Sequence, residues 1–381
     1  MILLPRAHTR SNNHKMSPAA RTPPLRILLT GATGFIGGTV LHHLLTSNLP
    51  ALKAKTFTLT ILVRDASRAE TYTAAWGSRI YPVVYGGLDD IEKTTLIASQ
   101  HDLVINMTLG FHAASAQALL AGLALRKAET NREVYMLHLS GASNLADQPV
   151  TGAYVEDREF DDLRDDVYEY ERMRNALRPY HQRTTELGVI DRSLELGVRT
   201  VVIMPPLVFG KGKGLFNRVS VQIPVYVEAA LQRGQAVVIG DGSGELDHVH
   251  VEDLAELYAI LVEEILEDGG LRLPRGKRGI VFASNGRHTW MEVARRVAQA
   301  VGGAGGVVSL SLEEGGEAFK AYVDLVGGED LTELELGLCS NSRSVASIAR
   351  SLGWEPSRGE EDWIRGFRDD VEAVLQRQKQ K

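Results

Sequence analysis

Cysteine is nearly missing from this chain of 381 residues. The one present, Cys339, excludes an internal disulfide framework and suits a reducing compartment. No apolar run reaches the roughly 18–20 residues a membrane-spanning helix needs, so no membrane role is expected. No Asp or Glu precedes Asp65, and no lysine lies between Lys127 and Lys211. A formal charge of −6 provides no general attraction for nucleic acid. What is there is the composition of a globular protein, 44% hydrophobic and 24% charged, in a chain long enough to bury a sizeable core.

The acid-free opening carries Arg6, Arg10, Lys15 and Arg21. Residues 1–24 read as a disordered tail, with translation from a start upstream of Met16 as one explanation of it. An Arg-rich mitochondrial presequence is the alternative, and the expected location is cytoplasmic. Pro23 and Pro24 would interrupt any helix running from the tail into the fold.

Beyond Pro24 the pattern is regular. Short apolar strand candidates at 25–30, 57–64, 80–86, 102–108, 134–140 and 199–205 alternate with helix-length segments, among them 35–47, 89–99, 113–129 and 179–196. Strands apolar on both faces, separated by helices, predict a doubly wound α/β sheet of the Rossmann kind over 25–210. From 211 to 381 the rhythm changes to helices at 215–233, 253–268, 289–301, 344–352 and 360–376. This predicts a smaller, mostly helical substrate-binding region that returns a strand to the sheet near 279–284. The acidic stretch 155–174 reads as a solvated loop and helix face. Thr289 followed by Glu292 reads as a capping box.

The stretch "LLTGATGFIGG" sets Gly31, Gly34 and Gly37 three apart, between a strand and a helix. The first glycine permits a tight turn and the second admits a pyrophosphate to the backbone. The third lets helix and strand pack closely, and the helix N-terminus turns its N–H groups to the anion. After the second strand come Arg64, Asp65 and Arg68. A guanidinium at Arg64 would pair with the 2′-phosphate of NADP, whereas Asp65 would suit the ribose hydroxyl of NAD. NADP(H) is therefore expected ahead of NAD(H).

Together with "GGLDD" (86–90), "VINMT" (104–108), "LSGAS" (139–143), "MPPLVFGKG" (204–212) and "HVHVEDLAELY" (248–258), this turn resembles the short-chain dehydrogenase/reductase superfamily. The likeness is to its extended, atypical epimerase/dehydratase-like branch, and to the nucleoside-diphosphate-sugar epimerase-like proteins common in fungi. It covers Leu25 to about Trp354. The resemblance implies cofactor contacts at Gly31, Thr33, Gly34, Phe35, Ile36, Gly37, Leu88, Met107, Thr108, Pro205 and Val208, and it suggests a homodimer. It also implies a tyrosine that exchanges a proton with the substrate oxygen, and a strand hydroxyl that polarises that oxygen. A lysine one helical turn after the tyrosine would complete the set.

Tyr180 stands at the tyrosine position, and Ser140 and Ser143 supply hydroxyls, but the fourth residue after Tyr180 is Thr184. The lysine is gone. Arg183 and Thr184 would share the face of Tyr180 on a helix and supply charge and hydroxyl in its place. Equally, Tyr180 could be a packing residue at a helix start. The expected function is an NADP(H)-dependent oxidoreductase or epimerase-like enzyme acting on a carbonyl or secondary alcohol of a small molecule. A dinucleotide-sensing regulatory protein and a non-redox isomerase or lyase are the alternatives. Leu246 stands where sugar-nucleotide epimerases carry a diphosphate-binding arginine, which argues against such substrates. The loop with Lys211, Lys213 and Arg218 reads as solvated but able to meet an anion. His248 and His250 read as strand-packing or surface residues, and no metal site is expected.

Overall fold

The computed structural model describes residues 24–54, 57–302, 306–326 and 331–380. The expectation for the N-terminal tail falls on residues outside these, apart from Pro24.

Seven parallel strands form the central sheet: β1 (Leu25–Leu29), β2 (Phe57–Val63), β3 (Tyr81–Val84), β4 (Leu103–Asn106), β5 (Tyr135–Leu139), β6 (Arg199–Met204) and β7 (Ile280–Phe282). Their order is β7-β6-β5-β4-β1-β2-β3. The chain thus adopts the doubly wound Rossmann-like fold. β4 and β5 are buried along almost their whole length because helices cover both faces of the sheet. The strand order reverses between β1 and β4, which opens a crevice at their carboxyl ends.

A second apolar core lies outside the sheet. It is built on the helices Gln222–Arg233, Trp290–Ala300 and Glu360–Gln380, with Trp290 and Trp363 fully buried. Short strands at Leu207–Phe209, Glu245–His250 and Arg287–Thr289 run beside it. Among the described residues, no helix is long and apolar enough to cross a membrane.

Three sequence expectations need correction. The helix expected over 215–233 begins only at Gln222, because residues 211–219 are held in an irregular strap against the glycine turn. The acidic stretch is not simply a solvated face. Its helix Val167–Leu177 buries Tyr168, Tyr170, Glu171 and Arg174. At Thr289 only half a capping box forms. Thr289 accepts from the Glu292 N–H, but the Glu292 carboxylate accepts from the Trp363 indole instead of returning to the cap.

Candidate active site

β1 delivers the chain to Gly31, whose φ of +68° lies in the left-handed region that favours glycine. A Cβ there would stand 2.2 Å from the Met107 carbonyl oxygen, and one on Gly37 would stand 2.3 Å from that of Gly31. Neither position has room for a side chain. Gly34 caps the helix Phe35–Thr46 without a side-chain bond, and no acid occupies its first turn. The amides of Phe35, Ile36 and Gly37 therefore have no partner within the helix and open toward the crevice. This cradle fits the pyrophosphate of a dinucleotide.

At the end of β2, Asp65 is the N-cap of the helix Ala66–Trp76. It accepts from the Arg68 N–H at 2.9 Å and from Ser67 at 2.8 Å, and it pairs with the Arg68 guanidinium at 3.1 Å. Its carboxylate is already committed to the helix start, while Arg64 is exposed. The floor of the crevice is a buried polar network. Thr30 and Thr108 both donate to Asn106 Oδ1, at 2.8 and 2.7 Å, and Asn106 Nδ2 meets His138 Nδ1 at 3.1 Å. Burial holds His138 neutral, its pKa lowered to about 4. Met107 is buried, and Leu88 and Thr108 are half-buried. Pro205, after β6, accepts from the Ala142 N–H at 2.9 Å, while Val208 pairs with Val249 in the outer sheet.

The strap 211–219 closes over one flank of this cradle. The Asn217 N–H donates to the Thr33 carbonyl at 3.2 Å, and the Lys213 N–H donates to Thr39 Oγ1 at 3.1 Å. Gly38 and Gly214 touch backbone to backbone, since a Cβ on Gly38 would lie 2.9 Å from the Gly214 Cα. Phe216 packs on Tyr72 with ring centroids 5.3 Å apart, and Arg68 lies over Phe216 at 5.6 Å. Tyr72 in turn donates to the Ala32 carbonyl at 2.7 Å. Lys213 pairs with Glu252 at 3.5 Å, and Arg218 donates to the Gly212 carbonyl at 2.7 Å.

Tyr180 caps the helix His181–Leu196 in an extended conformation, so its side chain leaves the helix toward the turn after β5. That turn, Ala142–Asn144, carries Ser143. Ser143 Oγ lies 3.1 Å from the Tyr180 hydroxyl and donates to Gln182 Oε1 at 2.6 Å. With the Ser143 proton given to Gln182, the tyrosine is the donor in the Tyr180–Ser143 bond. Tyr180 is buried among Ala146, Leu336 and Phe111. Burial pushes its pKa up to about 12; the Ser143 bond opposes the rise, the Glu333 charge adds to it, and the Arg183 charge opposes it.

Arg183 stays beside Tyr180, its guanidinium 5.6 Å from the ring centroid, whereas Thr184 turns to another partner. The Arg183 guanidinium is buried and donates to the Asn144 carbonyl at 2.9 and 2.7 Å. Thr184 is exposed and donates to Asn175 on the preceding helix at 3.1 Å. Ser140 is withdrawn too, its hydroxyl given to the buried Glu186. Sequence reasoning passed over Gln182, whose amide fills the gap between Gly110 and Gly141; a Cβ on Gly141 would lie 2.9 Å from it. Its position two residues after Tyr180 was the only available hint. Leu246 is buried in the outer core. His248 and His250 are buried as well, His248 stacked on Trp363 at 4.1 Å, and no cluster that could hold a metal occurs among the described residues.

Comparison with known proteins agrees with this geometry. The NAD dependent epimerase/dehydratase family matches residues 27–270. The oxidase ucsJ of Acremonium sp. is 28% identical over 347 residues, covering 87% of this chain and 92% of that protein. Among solved structures, DesIV, a dTDP-glucose 4,6-dehydratase from Streptomyces venezuelae with NAD and TYD bound, superposes with a TM-score of 0.63. It has 16% identity, over 92% of this chain and 97% of its own. The UDP-glucose 4-epimerase of Thermotoga maritima gives a TM-score of 0.57, also at 16% identity, over 92% and 99% of the two chains. These likenesses share the fold, while the family match spans the dinucleotide turn, the serine turn and Tyr180 together. The chain is an enzyme of the NAD dependent epimerase/dehydratase family, whose glycine turn is shaped to receive a nicotinamide dinucleotide.

Proposed function

We propose that this enzyme is an NADP(H)-dependent oxidoreductase that reduces a carbonyl, or oxidises the corresponding secondary alcohol, of a small molecule. The observation that carries the reading is the 3.1 Å contact between Ser143 Oγ and the Tyr180 hydroxyl, formed at the same edge of the sheet as the glycine turn. When bound, the nicotinamide dinucleotide supplies or accepts the hydride. Tyr180 holds its proton at neutral pH and donates it to the substrate oxygen, which takes the place of Ser143 as acceptor. Ser143 shares the polarisation of that oxygen and is itself oriented by Gln182. Reduction suits this site better than oxidation, because Thr184 stands in place of the family lysine and the Arg183 guanidinium is engaged with the Asn144 carbonyl instead of favouring a phenolate.

The preference for NADP(H) rests on Arg64, exposed beside an Asp65 already committed to its helix cap. Calorimetric titration with NADPH, NADP, NADH and NAD tests it. Selective binding of the phosphorylated pair is expected. Arg64→Ala should weaken NADPH binding by about 10- to 100-fold, the equivalent of losing one charge-assisted hydrogen bond, and leave NADH binding unchanged. Equal binding of both pairs by the wild type would reject the preference.

A second reading has one observation in its favour. Tyr180 is only 6% exposed, as a residue with a packing role would be. In that case the bound dinucleotide would be sensed, or would shape a non-redox pocket, and Tyr180→Phe would leave the activity intact.

A further inference from the structure

Behind the Ser143 turn lie two carboxyl groups that this chemistry does not use. Glu171, on the helix Val167–Leu177, and Glu186, on the helix His181–Leu196, are both 0% exposed. Ser140 Oγ and Asn144 Nδ2 both donate to Glu186 Oε2, the latter at 2.7 Å. Glu186 Oε1 and both oxygens of Glu171 are buried without a partner at hydrogen-bonding distance, and Glu186 and Asn144 are the neighbouring polar groups that act on the Glu171 carboxyl. Two ionised carboxylates do not persist in that arrangement. One proton between them would serve as the missing donor and remove half of the buried charge.

We infer that Glu171 and Glu186 share one proton at neutral pH, and that the protonated pair positions the turn carrying Ser143. Glu171 donates to Glu186 Oε1, which leaves Oε2 to receive Ser140 and Asn144. Arg183 clamps the other side of Asn144 through its carbonyl and balances the single remaining charge. The Ala142–Asn144 turn is thereby held from both sides, and with it the Ser143 hydroxyl. The charged group facing the pair is Arg183, on the helix of Glu186, and Arg183 in turn is faced by Arg174 and Tyr170, on the helix of Glu171, and by Tyr180 at the helix junction. Burial raises both carboxyls, Glu186 to about 7. The inference rests on the proposed Ser143–Tyr180 site only for its chemical consequence, because the proton is detected without turnover.

The sign of the pH effect follows. A carboxyl whose folded pKa is raised favours the fold fully below its unfolded value, near 4.5, and loses that contribution as pH rises through the folded value. Gln at 171 mimics the protonated acid and does not ionise. Glu171→Gln should therefore melt above the wild type at pH 9 and no higher than it at pH 5. In infrared spectra in heavy water at neutral pH, the wild-type-minus-variant difference should contain the carbonyl band of an un-ionised carboxylic acid. Other buried carboxyls, such as Asp162, cancel in that difference. Hydrogen exchange of the amides from Asn144 to Ala146, corrected for base catalysis, reports the turn itself. Its protection should fall above neutral pH in the wild type and stay level in the variant. If Glu171→Gln does not fold, carboxyl-¹³C glutamate in the wild type shifts the same band and identifies it as glutamic acid. Absence of such a band in the wild type, or turn protection with the same pH dependence in both proteins, would overturn the inference.

Discussion

At Tyr180 the surroundings act against ionisation. Bringing its pKa from about 12 down to neutrality would need about 7 kcal/mol of electrostatic help. The nearest guanidinium is already committed to the Asn144 carbonyl. The hydroxyl thus stays protonated through the physiological range, and in the proposed reduction it would act as an acid. Carbonyl reduction should then show no alkaline fall attributable to Tyr180 up to pH 10, while alcohol oxidation should be slow and rise with pH. Tyr180→Phe is expected to lower turnover by at least 100-fold with dinucleotide affinity unchanged, as read by steady-state kinetics beside calorimetry. Wild-type turnover in that variant would assign Tyr180 to packing. The presence of Tyr180, Ser143 and the glycines, and the loss of the lysine, were legible in the sequence because each depends on residue type at fixed spacing. What Arg183, Thr184 and Gln182 do was not, because a helical face says which residues are neighbours and not which backbone groups compete for their side chains.

Elements differ in how far their sequence foretold them. The strands of the sheet announced themselves as short apolar runs, since both faces are covered. The strap 211–219 did not, because its conformation is set by a partner, the first turn of the helix Phe35–Thr46, far away in the chain. The outer strands Glu245–His250 and Arg287–Thr289 bring together His248 and His288, with Nδ1 atoms 3.1 Å apart and both rings against Trp363. Burial lowers His248 and His250 to about 4, and it lowers His288 as well. A buried histidine held neutral costs the fold nothing above its unfolded pKa near 6.5. Below that value the unfolded chain gains protons that the folded one refuses. Each such histidine should destabilise the enzyme by on the order of 3 kcal/mol by pH 4. Urea denaturation between pH 7 and pH 4 checks this, and His248→Phe, which keeps the stack on Trp363, should flatten the acid limb. An unchanged acid limb would mean that the imidazoles are not what fails.

Over the whole molecule, the two cores meet where the dinucleotide cradle is built. The strap leaves β6 by way of Leu207–Phe209 and crosses the first turn of the helix Phe35–Thr46 before it enters the outer core at Gln222. Residues from both regions therefore shape a single anion site, and the backbone contact between Gly38 and Gly214 leaves no slack between them. Because the two events involve the same groups, they form a thermodynamic cycle. Whatever factor occupancy of the cradle contributes to seating of the strap, seating of the strap contributes the same factor to dinucleotide affinity. Trypsin cleavage after Lys211 or Lys213 should be slowed by bound dinucleotide, and enzyme nicked there should bind dinucleotide correspondingly less tightly. Cleavage at the same rate with and without ligand would show that the strap lies on the cradle without taking part in it. Slowed cleavage would mean that a segment with no chemistry of its own sets how long the enzyme keeps its cofactor.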